Sequence, residues 1–149
     1  MNKFIGLFVA LLLAAALTGC NSAPDDGHQD DILGTWYTIG QRSTIKIYKQ
    51  GDAYFGKITD LKRPLNRDGK KKRDFRNPDP DKKNNLLIGT DVLMELEYDG
   101  DKVWDDGRYY NHHRGEIKDC EVSMTKDGNL KINVEGSDKP MVWRSETYL

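Results

Sequence analysis

The chain has 149 residues, and its 23 basic and 24 acidic side chains leave a net charge of −1 at pH 7. The 130 residues from Cys20 onward are enough for one domain with one hydrophobic core, but not for two. Beyond the first 20 residues no run is long and apolar enough to cross a bilayer, which excludes a transmembrane helix in that part of the sequence.

The N-terminal residues have the form of an export signal. Lys3 precedes an apolar run of 14 residues, from Phe4 to Leu17, which is too short to span a membrane but typical of a secretory signal. The run ends in Leu-Thr-Gly followed by Cys20, and these four residues resemble a bacterial lipobox, whose Cys is acylated and becomes the new N-terminus. We therefore expect a signal peptide over residues 1–19 and a lipid on Cys20. A plain signal cut after one of residues 14–16 is the alternative.

A lipid on Cys20 implies a membrane-anchored protein. Each buried acyl methylene contributes about 0.8 kcal/mol, and two or more chains, such as palmitate, form a stable anchor. Residues 20–31 then predict a flexible acidic tether, because residues 21–31 hold no large apolar side chain. Asn21 resembles the residue that follows the Cys in outer-membrane lipoproteins, which implies a cell-envelope location at that membrane. Whether the protein faces the periplasm or the cell surface stays open.

From Ile32 onward, short segments of alternating polarity predict eight β-strands. They cover residues 33–39, 44–49, 53–59, 91–98, 102–111 with a break or bulge at 105–107, 117–125, 129–135 and 141–145. Helix is expected only as a turn near 30–33 and another near 78–84. Strands joined by hairpins hide their edges by closing on themselves, so we predict an all-β fold: a small antiparallel up-and-down barrel forming one domain over residues 32–149. A two-sheet β-sandwich is the alternative.

The alternation also predicts which side chains point into the barrel. Val92, Met94 and Leu96 share one face, as do Cys120 and Val122, so we expect Cys120 to be an inert core residue. An eight-stranded barrel has room only for packed side chains or one small ligand, which predicts a mostly filled interior or a shallow pocket.

The first and last strands carry a recognisable pairing. Gly34 and Trp36 on the first, with Trp143 and Arg144 on the last, resemble the pattern of lipocalin-like (calycin) proteins. The resemblance implies that Trp36 closes one end of the barrel while Arg144 packs across its ring, a cation–π contact of about 0.5–2 kcal/mol. Gly34 would allow a close approach of backbone at the start of the strand.

Further motifs resemble a bacterial exported family known as domain of unknown function 2147. They are Asp-Phe-Arg-Asn-Pro-Asp-Pro at 74–80, Gly89, Gly-Arg-Tyr-Tyr at 107–110, Gly115 and the closing Trp-Arg. The chain departs from that family at 111–112, where Asp-Pro is usual, and at 116–118, where an aromatic is usual. The resemblance implies a lipocalin-like fold and an envelope location, and it implies no activity.

The loop from residue 61 to 85 is long and basic. Between Lys62 and Lys83 it holds ten Lys or Arg and four Asp, and a long loop without secondary structure is often functional. The candidates for contact with an anionic envelope surface or polymer are Lys70, Lys71, Lys72 and Arg73. A solvated loop without a partner is the alternative.

One segment of this loop differs in character. Pro78 restricts Asn77 to extended conformations, and we expect the side chains of Asp74 and Asn77 to hold the loop against the barrel mouth. Contact with a ligand is the second interpretation of this segment. The candidate rim residues are Asp74, Arg76, Asn77 and Tyr110.

No motif indicates catalysis, a cofactor or a metal. Adjacent His112 and His113 are expected on opposite faces of a strand, which does not suit one metal ion. Nucleic acid is disfavoured, because Phe75 is the only aromatic residue in the basic loop. We therefore expect a monomeric, membrane-anchored binding or interaction module for a small apolar or anionic ligand, and not an enzyme. The alternatives are a structural envelope protein with a filled barrel and, less favoured, a hydrolase.

Overall fold

The structure, a computed structural model, describes residues 26–146, so the predicted signal peptide and the predicted acylation site at Cys20 lie outside the described residues. The strands are β1 (Gly34–Tyr37), β2 (Ser43–Gln50), β3 (Ala53–Leu61), β4 (Asp91–Gly100), β5 (Val103–Asn111), β6 (Glu116–Met124), β7 (Leu130–Val134) and β8 (Met141–Ser145). Single 3-10 turns lie at Ile39–Gln41 and Pro80–Lys82. The second of these confirms the turn expected near 78–84.

The eight strands form a closed barrel in chain order. Each strand is antiparallel to the next, and β8 returns to β1 through the pairs Trp36↔Ser145 and Tyr37↔Arg144. Closure pairs both strands that would otherwise be exposed edges. The predicted all-β up-and-down barrel is therefore confirmed, and the two-sheet sandwich is wrong.

Period-two alternation builds most of the interior. In β2, Ile45 and Ile47 are each 1% exposed while Lys46 between them faces solvent, and β7 buries Leu130 and Ile132 in the same way. Cys120 is buried on β6 as expected, and burial raises the pKa of its thiol to about 12. A thiol with so high a pKa holds almost no thiolate near neutral pH, which suits an inert core position.

Bulges interrupt the regular strand pairing in several places, including β4 and β5. In β4, Glu95 has a φ of +58°, and the face predicted to hold Val92, Met94 and Leu96 is broken there: Leu93 and Leu96 are the fully buried residues. A residue in the left-handed region turns the strand, so that residues three apart point to the same side. In β5 the register shifts between Trp104 and Gly107, which confirms the bulge expected at 105–107.

The barrel has two unlike ends. The hairpin end carries the β2–β3 and β4–β5 turns, near residues 51–52 and 101–102, and is crossed by the residues that precede β1. The loop end carries the β1–β2 connection at 38–42, the β3–β4 loop at 62–90 and the β5–β6 turn at 112–115.

Residues 26–33, the N-terminal segment, pack across the hairpin end. Hydrogen bonds run from Trp104 Nε1 to the Gln29 carbonyl (3.0 Å), from the Tyr54 hydroxyl to Asp30 (2.8 Å) and from the Tyr98 hydroxyl to Asp26 (2.5 Å). Ile32 is fully buried, and the turn expected near 30–33 is present. The predicted flexible tether is therefore wrong for residues 26–31, because their Asp side chains and backbone accept hydrogen bonds from the barrel. Residues 20–25 lie outside the described residues.

Trp36 and Trp143 belong to the core, 4% and 3% exposed, but Arg144 does not join them. Trp36 Nε1 donates to the carbonyl of Ile32 (2.8 Å), which ties the ring to the N-terminal segment. Arg144 is exposed on the outer face opposite Tyr37, so the expected cation–π contact with Trp36 is wrong. Side chains of successive strand residues point to opposite faces, and Arg144 follows the inward Trp143.

Gly34 has a different role from the one expected. A β-carbon on residue 34 would meet no atom within 4 Å, so no close approach of backbone requires a glycine there. The φ of Gly34 is +138°, a conformation that side-chain-bearing residues rarely adopt. Glycine is thus suited to the backbone conformation with which β1 begins.

Candidate functional site: an open cationic cavity

An open cavity of about 880 Å³ lies at the loop end. Connections that are far apart in sequence supply its lining: Gly40, Arg42, Ser43, Leu61, Lys62, Arg63, Asn66, Lys72, Arg73, Phe75, Arg76, Leu87, His112 and His113. Leu61 and Leu87 are core residues and give the cavity an apolar inner wall, while Phe75, 64% exposed, adds an aromatic ring. The volume falls within the range of about 300–1,000 Å³ that is typical of small-molecule sites.

Cationic side chains dominate the polar part of the lining. Arg42, from the β1–β2 connection, joins Lys and Arg side chains of the β3–β4 loop, and no Asp or Glu is among the lining residues. Of the residues expected to contact an anionic surface, Lys72 and Arg73 line the cavity, whereas Lys70 and Lys71 are exposed and do not. The basic loop therefore divides into a part that faces the cavity and a part that faces solvent.

Short backbone ladders fold the long loop back on itself. Leu65 pairs with Lys71 and Arg73 pairs with Leu86 as isolated antiparallel bridges. Lys72 donates its backbone N–H to Pro64 (2.9 Å) and accepts from the N–H of Leu87 (2.9 Å). Because these bonds satisfy backbone groups within the loop, the cationic side chains are carried on an ordered frame.

A buried polar cluster, Asp74 with Asn77 and Tyr110, fixes this frame to the barrel. Asp74 is 2% exposed, and its carboxylate accepts from the Tyr110 hydroxyl of β5 (2.6 Å) and from Asn77 Nδ2 (2.7 Å). Burial and the Asp74 carboxylate raise the pKa of Tyr110 well above its ordinary value, so the hydroxyl keeps its proton as the donor. The expectation that Asp74 and Asn77 hold the loop to the barrel mouth is therefore confirmed.

Of the four candidate rim residues, only one lines the cavity and could contact a ligand there. Asp74, Asn77 and Tyr110 are buried in the polar cluster and do not line the cavity, whereas Arg76 does line it. Arg76 Nη1 also donates to the carbonyl of His113 (2.7 Å), which joins the loop to the β5–β6 turn.

The two histidines lie together, contrary to expectation. They follow the end of β5, where the strand geometry that would separate them no longer applies, and their ring centroids are 4.0 Å apart. Burial, and after it the neighbouring His113, lowers the pKa of His112 to about 4, so His112 is neutral near pH 7. Both rings line the cavity.

Within residues 26–146, no group of three or more His, Cys, Asp or Glu side chains could hold a metal ion. In the same range, no helix is long and apolar enough to cross a membrane. What the loop end offers chemically is a set of hydrogen-bond donors and positive charges beside an apolar wall.

Most residues that line the cavity could not be predicted from the sequence as parts of one site. Arg42, His112 and Leu87 come from three different connections, and only closure of the barrel brings them to one end. The charge of Lys62 and Arg63 was visible as part of the basic loop, but which of its cations face inward depends on how the loop folds.

The closed barrel with one open end places the chain in the lipocalin-like class. Among solved structures it is similar to protein HP1028 from Helicobacter pylori, which is described as belonging to the lipocalin family. The two share 20% sequence identity with a TM-score of 0.63, over 78% of this chain and 84% of that one. At this identity the similarity shows the fold alone.

The chain belongs to the family described as "Uncharacterized protein conserved in bacteria (DUF2147)", whose model matches residues 34–149. No curated protein matches the sequence. The motifs that carried the family resemblance meet at the loop end: Asp74 and Asn77 come from one of them and Tyr110 from another.

Proposed function

We propose that this protein is a binding module that holds a small ligand in the cavity at the loop end. The observation that carries the proposal is the cavity itself, about 880 Å³ with an apolar inner wall, opening from a barrel whose interior is otherwise packed. Small-molecule sites are concave, largely preformed and lined by apolar groups with a few placed polar ones. The role needs no cofactor, no nucleic acid and no catalytic step, and one copy of the chain suffices for it.

The proposal includes a lipid anchor on Cys20 in the bacterial envelope, with the outer membrane favoured by Asn21. Its support is the sequence pattern described above. Five residues lie between Cys20 and Asp26, and the six steps that join them reach at most about 22 Å. Asp26 binds Tyr98 at the hairpin end, so an anchored protein holds that end toward its membrane and opens the cavity away from it.

The test is binding of a neutral apolar dye. Protein that begins at residue 20 and carries Cys20→Ser includes the whole described fold and cannot be acylated. It is titrated with N-phenyl-1-naphthylamine, whose fluorescence rises when it leaves water. We expect saturable binding that weakens at least fivefold in Phe75→Ala, because the exposed ring contributes apolar contact.

The matched control is Ile117→Ala, which removes an exposed apolar side chain of β6 that does not line the cavity. It should bind the dye as the parent does. Absence of saturable binding, or an equal loss in both variants, contradicts the proposed site.

The second candidate is a structural envelope protein that holds no ligand. It is favoured by the dense interior, in which three Trp side chains are 4% exposed or less. It predicts that neither the dye nor any other small molecule binds, and that the loop end contacts a macromolecular partner instead.

A further inference from the structure

The positive charge of the cavity lining has no acidic partner within the lining. Six lining residues are Lys or Arg, and no lining residue is acidic. Five ion pairs form within residues 26–146, and none involves a Lys or Arg of the lining. Clustered cations in a concave site raise the local concentration of anions, and salt screens this attraction because most of these side chains are exposed.

Two of the guanidinium groups are held in place by the protein. Arg76 Nη1 donates to the carbonyl of His113 (2.7 Å), and Arg73 Nη1 donates to the carbonyl of Asn84. A guanidinium has five N–H donors in a planar fork, so one such bond orients the group and leaves other donors for a ligand. Phosphate and carboxylate match this fork by accepting two parallel hydrogen bonds.

The apolar wall stands beside these donors. Leu61 and Leu87 are 8% and 6% exposed and continue the barrel core, while the ring of Phe75 is available to solvent. A simple inorganic anion would leave this surface unused, and a purely apolar molecule would leave the cations without partners. A molecule that satisfies both must be charged at one end and apolar along the rest.

We propose that the ligand is an anionic amphiphile, with a phosphate or carboxylate group among the lining Lys and Arg side chains and an apolar tail against Leu61, Leu87 and Phe75. This inference rests on the proposed function, because it names the ligand class of the same cavity. The neutral state of His112 agrees with it, since an uncharged ring can pack against a tail.

The test compares three ligands with the same ten-carbon tail: decyl phosphate, decyltrimethylammonium and decyl maltoside. Each ligand is added, below its own critical micelle concentration, as a competitor of N-phenyl-1-naphthylamine bound to the Cys20→Ser protein. We expect decyl phosphate to bind at least tenfold more tightly than the cation, and decyl maltoside to fall between them. Equal affinities for all three overturn the anionic assignment and leave the proposed function standing. If none of the three binds, and the dye does not either, the proposed function fails as well.

The loop offers a matched pair of charge variants. Lys62→Gln with Lys72→Gln removes two lining charges, and Lys70→Gln with Lys71→Gln removes two from the same loop outside the cavity. The first pair should lower the affinity for decyl phosphate at least fivefold and leave decyl maltoside unchanged, and the second should change neither. An equal loss in both pairs indicates attraction to the whole loop and overturns a site.

Two further arms separate the sources of the anionic group. Inorganic phosphate should displace the dye at least a hundredfold more weakly than decyl phosphate, because it lacks the tail. Protein that bound phosphatidylglycerol vesicles, but not decyl phosphate, would use the loop end as a membrane-contact surface, which overturns the cavity ligand. Equal binding of inorganic and decyl phosphate overturns the amphiphile.

Discussion

Gly115 and Arg76 approach so closely that a β-carbon on residue 115 would lie 2.2 Å from the Arg76 carbonyl oxygen. Gly115 is in the β5–β6 turn with a φ of +72°, and Arg76 is in the long loop that lines the cavity. The missing side chain therefore lets the loop lie directly on the turn. This contact gives a physical reason for a glycine that also belongs to the family motif.

Gly115→Ala should displace the loop. The clash is with backbone, which cannot rotate away, and overpacking of this kind costs about 1–3 kcal/mol. Gly51→Ala is the matched control, because its φ of +63° carries the same conformational cost while its β-carbon meets nothing within 4 Å. Urea unfolding should place Gly115→Ala about 1–3 kcal/mol below Gly51→Ala. Equal stabilities would show that the close contact is not formed in solution.

Tyr110→Phe should destabilise the protein by about 1–3 kcal/mol, because it removes one of the two side-chain donors to the buried Asp74 carboxylate. The loss is measured by urea unfolding. Dye binding should weaken in parallel, since Asp74 fixes the loop that lines the cavity. Tyr37→Phe is the control: within the described chain the Tyr37 hydroxyl makes no hydrogen bond, so its loss should matter little. A stable Tyr110→Phe protein with parental dye affinity contradicts the role of the cluster.

Trp36→Ala should cost about 3–5 kcal/mol, because it leaves a large void in the core and removes the bond from the indole to the Ile32 carbonyl. Arg144→Ala, on the exposed outer face, should stay within about 0.5 kcal/mol of the parent. Both free energies of unfolding come from denaturant titrations. A large loss in Arg144→Ala would mean that the guanidinium does pack on the barrel.

His112 should make the fold less stable in mild acid. Its pKa is about 4 in the folded protein, lowered by burial, His113 and Lys72 and partly opposed by Asp74, against about 6.5 when unfolded. Between these values the unfolded chain binds more protons, so stability falls as pH decreases from about 6.5 to 4.

His112→Asn should lack this part of the decline, which is measured as the difference between the two unfolding free energies at pH 7 and at pH 4.5. The lowered pKa values of Asp26, Asp30 and Asp31 act in both proteins and mainly below their ordinary value of 3.8, so they cancel in the comparison. Parallel curves for parent and variant between pH 7 and 4.5 would show that His112 is not buried as described.

The strands could be predicted because the information for them is local. Alternation in β2 and β7, and the Gly-rich turns, define each strand without reference to the rest of the chain. The bulge at Glu95 could not be predicted, because nothing in the local sequence shows that Leu93, and not Met94, is fully buried with Leu96. Its position depends on packing across the barrel, where Leu93 pairs with Gly56 and Tyr109.

Polar segments were harder to interpret than apolar ones. The acidic residues 26–31 were predicted to form a solvated tether, although Asp26 and Asp30 accept hydrogen bonds from Tyr hydroxyls of distant strands. In the same way, charge alone did not separate Lys70 from Lys72. A polar side chain is ordered by whichever partner the fold brings to it, and that partner is not visible in the local sequence.

The two ends of the barrel differ in what they contribute to the protein. The N-terminal segment seals one end with bonds to Trp104 and Tyr54, so that end contributes to folding and leaves little freedom to vary. The other end draws its lining chiefly from connections at 40–42, 62–76 and 112–113, outside the strands. Substitutions there change the lining of the cavity while the interior stays intact, so the ligand selectivity that we propose for this end can change without loss of the stable barrel.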